Sequence, residues 1–150
     1  MIARGAGTLF VDRDQPRDVV RVGSDMRSHL GAGIPLTLFP EGRSSRGIAV
    51  LPFLPSLLEP AARAGVPCYA ASLSYETPGS ADPPAETVCW HDSTVQFVPH
   101  ILRMMRLARI EATVSFARNP FRSNDRKELA QRLWEDVHRG FVPMRQGESA

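Results

Sequence analysis

The residues best suited to chemistry in this chain lie at positions 40–47, which read Pro-Glu-Gly-Arg-Ser-Ser-Arg-Gly. This stretch holds one carboxylate (Glu41) and two guanidiniums (Arg43 and Arg46), and it follows four mostly apolar residues that predict a short buried strand over 36–39. Ligands of α/β folds bind outside the carboxyl ends of strands. Arginine forks and glycine backbone N–H groups suit a phosphate. The stretch therefore predicts an anion-binding loop, and the alternative is an ordinary polar surface turn.

Length and composition limit what the rest of the chain can be. The 150 residues, of which 43% are hydrophobic and 23% charged, predict one globular domain over 1–142 with a disordered tail over 143–150. A net charge of +2 and the lack of a basic block argue against nucleic acid as a partner. No apolar run is long enough to span a membrane, and no signal-peptide pattern is present. Cys68 and Cys89 lack metal-ligand spacing, which favours free thiols in a reducing compartment.

Strand and helix patterns alternate through the first half of the chain. Apolar and β-branched runs predict strands over 8–11, 36–39 and 66–75, and the last of these is apolar enough to be buried on both faces. Helical spacing predicts helices over 15–30 and 55–64, with Pro60 expected to kink or split the second. Alternation of this kind is typical of βαβ units. The fold class predicted is α/β, with a mostly parallel sheet flanked by helices.

The second half predicts shorter elements. A proline-rich loop over 76–86 precedes a possible short strand over 87–90, a helix over 98–107 and an alternating strand over 110–116. Asp125 and Glu128 have the spacing of a capping box, which predicts the start of a last helix that ends at Gly140.

Three blocks occur in a fixed order along this framework. Residues 7–13 read Gly-Thr-Leu-Phe-Val-Asp-Arg, residues 39–45 read Phe-Pro-Glu-Gly-Arg-Ser-Ser, and residues 65–70 read Gly-Val-Pro-Cys-Tyr-Ala. They resemble the Gly-x-x-Phe-Ile-Asp-Arg, Phe-Pro-Glu-Gly-Thr-Arg-Ser and Val-Pro-x-x-Pro-Val blocks of the glycerolipid acyltransferases. The order and spacing of several blocks are more specific than any one of them.

The resemblance has departures. Arg43 stands where the family usually has threonine, Ser44 stands where it has arginine, and Ala70 replaces the second proline of the third block. Arg46 is a candidate to replace the displaced arginine, by charge and reach. By resemblance, the substrate-binding residues are Arg13, Glu41, Gly42, Arg43 and Arg46.

The catalytic signature of the family, His-x-x-x-x-Asp, is not found. Its histidine is the general base for the acceptor hydroxyl, a role that suits the pKa of imidazole. The residues five places after the four histidines are isoleucine, glutamine, methionine and proline, so we assign no catalytic residue. We interpret His29, His91, His100 and His138 as surface or capping residues. Since the signature precedes the first block in the family, we expect an N-terminally truncated acyltransferase domain.

The resemblance implies an enzyme of lipid metabolism. It would move an acyl group from acyl-CoA or acyl carrier protein to the hydroxyl of a lysophospholipid such as lysophosphatidic acid, in phospholipid biosynthesis, without a metal or bound cofactor. It would be a cytoplasmic bacterial protein in peripheral contact with the inner face of the cytoplasmic membrane. Two alternatives stay open, namely an inactive domain that binds phospholipid headgroups or a partner, and an enzyme that acylates a lyso-aminolipid.

Overall fold

The computed structural model describes residues 8–9, 16–90 and 96–147. In chain order its elements are helices α1 (Pro16–Gly31) and α2 (Pro55–Ala64), strand β1 (Ala71–Glu76), helices α3 (Pro84–Thr87) and α4 (Phe97–Met104), strand β2 (Glu111–Phe116) and helix α5 (Arg126–Gly140). The class is mixed α/β, as predicted. Only residues 8–9 of the first predicted strand are described, and they carry no strand pairing; most of the first motif, including Arg13, lies outside the described residues.

Helix α1 confirms the helix predicted over 15–30, and backbone hydrogen bonds define its end. The N–H of Ile34 donates to the carbonyl of His29 at 2.9 Å, and the N–H of Gly33 donates to that of Leu30 at 3.1 Å. Gly33 has a φ of 73°, which glycine adopts at little cost. This pair of bonds is the Schellman arrangement, which satisfies carbonyls that the helix itself leaves unpaired.

Helices α2 and α5 form the main hydrophobic core. Helix α2 begins at Pro55, whose missing N–H costs nothing in the first turn, and ends before Gly65 at a φ of 59°. The predicted bounds are confirmed, and α2 runs through the buried Pro60 without being split. Buried alanines and leucines of both helices meet Ala70 in one cluster: Leu58, Ala62, Leu129, Ala130 and Leu133.

The start of α5 confirms the capping signal. The Asp125 carboxylate accepts from the backbone N–H of Lys127 at 2.7 Å and of Glu128 at 3.4 Å. The Ser123 hydroxyl accepts from the N–H of Asp125 and donates to the Glu128 carboxylate. Ser123 thus binds both residues of the capping box. The backbone N–H groups of Asp125, Lys127 and Glu128 all have acceptors at the start of α5.

The sheet that the structure describes has two antiparallel strands. Leu73 pairs with Val114 and Ala71 with Phe116. The strand predicted over 110–116 is confirmed as β2. The strand predicted over 66–75 begins only at Ala71, because before it Cys68 makes an isolated bridge to Phe121. β1 is also not buried on both faces, since Ser72 is the one buried residue among its six. The parallel sheet is not confirmed.

Two further strand predictions differ from the structure. Residues 36–39 carry no strand pairing in the described part of the chain, although Leu38 packs against the core while Phe39 is 72% exposed. An extended segment becomes a strand only when a neighbour pairs with it. The strand predicted over 87–90 is wrong, because the chain turns into α3 at Pro84 and the Thr87 hydroxyl donates to the Pro83 carbonyl at 2.9 Å.

Candidate functional site

The centre of the candidate site is a tight turn over residues 39–42. The N–H of Gly42 donates to the carbonyl of Phe39 at 3.0 Å, with proline at the second position, where its fixed φ suits a turn. Gly42 has a φ of 67°. The carbonyl of Pro40 accepts from the N–H of Leu54, which caps α2, at 2.8 Å. The turn is therefore fixed to the residue that caps a core helix.

Glu41 is the partly buried carboxylate of this turn. Loss of water around it raises the pKa of Glu41. The backbone N–H of Leu51, which donates to the carboxylate, and the nearby Arg43 guanidinium act in the opposite direction. Because the backbone N–H of Leu51 binds the carboxylate, Glu41 stabilises the loop and also contributes charge to it.

Arg43 and Ser44 form the exposed part of the loop. Both side chains face solvent, and Arg43 makes no ion pair among the described residues. Next to them the Ser45 hydroxyl accepts from the N–H of Gly47 at 3.2 Å, which closes a second turn. An exposed guanidinium on a loop closed by two turns is available to an anionic group that approaches from solvent.

Arg46 leaves the loop and binds a residue that the sequence did not indicate. Its Nη2 donates to Oε1 of Glu86 at 2.9 Å, and both side chains are roughly two-fifths exposed (37% and 44%). Its Nε is buried and has no hydrogen-bond partner in the described structure. Glu86 lies in α3, forty positions away. No local pattern links the two residues, so sequence reasoning could not find the pair.

The segment 143–147, here called the C-terminal strap, lies against the same loop. The N–H of Met144 donates to the carbonyl of Gly47 at 2.9 Å, and its side chain lies where a Cβ on Gly47 would be. Met144 is buried, and the Cys89 thiol lies 3.2 Å from its sulfur. The Arg145 guanidinium donates to the carbonyls of Ser80, Ala81 and Asp82.

The strap lies within the segment 143–150, for which disorder was predicted. Met144 and Arg145 make these contacts, and residues 148–150 lie outside the described residues, so disorder of the tail stays a prediction. These contacts could not be predicted from the sequence. Met144 and Arg145 bind distant backbone carbonyls and a glycine, and a short terminal sequence carries no signal for such partners.

The predicted site residues are brought together only in part. Glu41, Gly42 and Arg43 share one turn, whereas the Arg46 side chain pairs with Glu86. Arg13 lies outside the described residues. The structure thus places one carboxylate and one unpaired guanidinium at the loop, and it adds Glu86 and Met144 as residues that hold the loop.

Three of the four histidines are described, and each has a different surrounding. His29 Nδ1 lies 2.7 Å from the carbonyl of Asp25, one turn earlier in α1. The His138 ring lies 4.8 Å from the ring of Trp134. His100 is buried, which corrects its interpretation as a surface or capping residue. In the parts of the chain that the structure covers, none of them forms an ion pair with a carboxylate, so no catalytic histidine is assigned.

Other kinds of site receive no support from the described residues. No group of three histidine, cysteine, aspartate or glutamate side chains there could hold a metal ion. Burial raises the pKa of the Cys68 and Cys89 thiols, and these two described cysteines form no disulfide with each other. Among the helices described, none has the length and apolar character to cross a membrane.

Comparison with known proteins bears on the part of the chain that contains the loop. The model of the Acyltransferase family matches residues 1–74, which include all three blocks described above. No solved structure matches the chain.

Curated relatives match over most of this chain. A 1-acyl-sn-glycerol-3-phosphate acyltransferase of Neisseria gonorrhoeae is 27% identical over 91% of the chain and 52% of its own length. Lyso-ornithine lipid O-acyltransferases of Rhodobacter capsulatus (29% identical, 93% of this chain and 52% of the relative) and Pseudomonas aeruginosa (28%, 91% and 51%) also match. The chain thus spans about half the length of these relatives. Since the family model covers the blocks from which the resemblance was drawn, that resemblance is confirmed: residues 1–74 of the chain are similar to the Acyltransferase family.

Proposed function

We propose that this chain carries the acceptor-binding part of an O-acyltransferase that acts on lysolipids. In the reaction, the acceptor hydroxyl oxygen attacks the carbonyl carbon of an acyl thioester, a C–O bond forms and the C–S bond breaks. The hydroxyl proton leaves with a base and ends on the departing thiol. The observation that supports this best is the loop of Glu41, Gly42 and Arg43, held by two turns within the segment that matches the family.

Arg43 is the residue proposed to bind the acceptor headgroup. Its guanidinium is exposed on a loop whose backbone is fixed to α2 through Pro40. A phosphate there would accept two parallel N–H bonds from the planar fork. When ionised, the Glu41 carboxylate attracts the Arg43 guanidinium, which would keep that side chain near the turn. Arg13 remains a proposed partner of the same phosphate.

Arg46 has a different relation to the acceptor. An incoming phosphate would have to compete with the Glu86 carboxylate, because Nη2 of Arg46 already donates to it. The buried Nε without a partner leaves part of its hydrogen-bonding capacity unused. We propose that Arg46 binds the acceptor only if the pair with Glu86 opens, and otherwise holds the loop against α3.

A lyso-aminolipid is the second candidate acceptor. Relatives from two bacteria are named lyso-ornithine lipid O-acyltransferases, and in this chain the guanidinium of Arg46 is neutralised by Glu86. A loop with one unpaired guanidinium suits a headgroup with less negative charge than a phosphate monoester. The donor, acyl-CoA or acyl carrier protein, and peripheral contact with the cytoplasmic face of the membrane belong to the same proposal.

The test is transfer of a labelled acyl group from acyl-CoA to lysophosphatidic acid and, separately, to lyso-ornithine lipid. The 150-residue chain is assayed beside a version joined to the coding sequence directly upstream of residue 1, because no described histidine is paired with a carboxylate. Label in either product supports the proposal and identifies the acceptor. Headgroup binding with no transfer by either version would contradict it and favour an inactive binding domain.

A matched pair of variants tests the role of the loop. Arg43→Gln is expected to raise the KM for the preferred acceptor about tenfold, since a charge-assisted hydrogen bond to the headgroup is lost. Arg122→Gln removes an equally exposed arginine far along the chain and should leave the KM unchanged. An equal effect of both variants would show that net charge, rather than the loop, binds the acceptor.

A further inference from the structure

One exposed face of helix α4 carries an apolar stripe. Val98, Leu102 and Met105 follow one another at intervals of four and three residues, which places them on one side of the helix and of the turn that continues it. Their exposed fractions are 64%, 54% and 73%. Exposed apolar residues that occur singly need no explanation, but three in a row on one face form a continuous surface.

The opposite face of α4 is the one that packs on the protein. His100 is 4% exposed and Met104 is partly buried there, while Ile101, at the edge of the stripe, is also partly buried. A helix of this kind normally buries its apolar stripe and exposes polar residues. In α4 the buried and partly buried residues are His100, Ile101 and Met104, and packing against the described chain leaves the more exposed Val98, Leu102 and Met105 uncovered.

The charge around the stripe is positive. Residues 96–110 contain three arginines and no acidic residue. Arg103 and Arg106 are exposed, and both follow the stripe around the outer side of the helix. Arg109 is paired with Glu111 at the start of β2. Arg103 and Arg106, beside the apolar residues, form no ion pair within the part of the chain that the structure describes. At the other end, the Trp90 ring packs edge-on against Phe97 with centroids 5.4 Å apart, and both rings are partly exposed.

We propose that this surface, made by Val98, Leu102, Met105, Arg103 and Arg106, docks the protein on an anionic lipid bilayer. Apolar side chains enter the acyl boundary while neighbouring arginines meet anionic headgroups, which is the way in which short amphipathic helices lie in a membrane interface. Aromatic rings such as Trp90 favour the same interfacial depth. The inference rests on the membrane contact included in the proposed function and adds to it the surface, on α4, through which that contact is made.

Charge complementarity selects the bilayer over a second copy of the chain. In a symmetric pair of α4 helices the apolar stripes would meet, but Arg103 and Arg106 would face the same arginines, with no acidic residue of 96–110 to compensate them. An anionic bilayer supplies both an apolar interior and negative headgroups. The two components of the surface therefore have a common partner.

The experiment is co-sedimentation of the full chain with vesicles of phosphatidylcholine, with and without phosphatidylglycerol. The double variant Val98→Gln/Leu102→Gln should bind the anionic vesicles at least about tenfold more weakly than the unaltered chain. Val20→Gln alters an exposed valine of another helix, α1, and should bind as the unaltered chain does. Arg103→Gln/Arg106→Gln should weaken binding and reduce its sensitivity to salt.

Fluorescence gives an independent readout. In a Trp134→Phe background, Trp90 is the one remaining tryptophan, and its emission should shift to shorter wavelength when anionic vesicles are added. Circular dichroism of each variant checks that the fold is retained, and the arginine pair serves if the apolar pair unfolds.

Three results would overturn the proposal. They are equal loss of binding in Val20→Gln, no shift of Trp90 on anionic vesicles, and concentration-dependent dimers that the Val98→Gln/Leu102→Gln variant abolishes. Binding to a purified acidic acyl carrier protein but not to vesicles would equally reject the bilayer as the partner. Since none of these measurements requires turnover, failure here is distinct from failure of the acyltransferase proposal.

Discussion

The helical core and the candidate site loop are stabilised by different kinds of contact. Leucine and alanine side chains of α2 and α5 interlock in the core, and Leu129 is 1% exposed. The loop from Phe39 to Gly47 is held by hydrogen bonds, an ion pair with Glu86 and the side chain of Met144. Core packing stabilises the whole domain, whereas the loop can change its conformation without loss of the core.

The largest effect is expected from a cavity in the core. Leu129→Ala should lower the free energy of unfolding by about 2–5 kcal/mol, because the transfer free energy and the surrounding contacts of a buried side chain are lost together. Urea denaturation followed by circular dichroism measures it. Leu102→Ala removes the same atoms from an exposed position and should cost less than about 1 kcal/mol. Similar costs for both would break the distinction between packed and exposed helix faces.

A smaller effect is expected where the strap meets the loop. Gly47→Ala should cost about 2 kcal/mol, because a Cβ there would lie 2.5 Å from Met144 Cε, and the φ of 67° also disfavours alanine. Gly79→Ala is the matched control, with a φ of 77° and open space around the new Cβ. The difference between the two measures the contact with Met144. Thermal melts and proteolysis near the C-terminus measure this difference. Identical melting of Gly47→Ala and Gly79→Ala would contradict the contact between Gly47 and Met144.

The helix cap of α5 is the third comparison. Asp125→Ala should cost about 1 kcal/mol, since the N–H groups of Lys127 and Glu128 lose their acceptor. Asp125→Asn retains an oxygen at the same place and should restore most of that stability. If the asparagine variant were as unstable as the alanine variant, negative charge at the helix start would be more important than the hydrogen bond.

The smallest effect concerns the pKa of Glu41. Because desolvation raises this pKa in the folded state, the proton binds more tightly in the folded chain than in the unfolded chain. The resulting stability is fully present below the unfolded value and is lost as pH rises through the folded pKa. Relative to Glu41→Gln, the unaltered chain should therefore become less stable from about pH 4 toward neutrality. Thermal melts across that range test this, with Glu76→Gln at the exposed end of β1 as control.

The helical core and the candidate site loop also differ in how well the sequence could predict them. The bounds of α2 and α5 depend on Pro55, Gly65 and Asp125, whose effects are local, and these predictions are confirmed. The outer strand β2 was visible as an alternating pattern. In contrast, the turn into α3 was missed because two successive prolines indicate a loop as strongly as the first turn of a helix.

The candidate site shows the limit most clearly. The turn over 39–42 was predictable, since proline and glycine impose it. The partners Glu86 and Met144 are 40 and 97 positions away from the residues they contact, Arg46 and Gly47. A pairing at such a distance depends on the path of the whole chain, and neither residue type indicates it in advance.

The contact between Met144 and Gly47 has a consequence for the order of events during synthesis. A ribosome produces Gly47 long before Met144, so the loop must exist for a time without the side chain and the N–H that later close over it. The helices of the core can pair as soon as α5 emerges, while the loop acquires its final shape only when the strap has been made. The contact that fixes the loop therefore forms only after α5 has been synthesised, because the strap follows α5 in the chain.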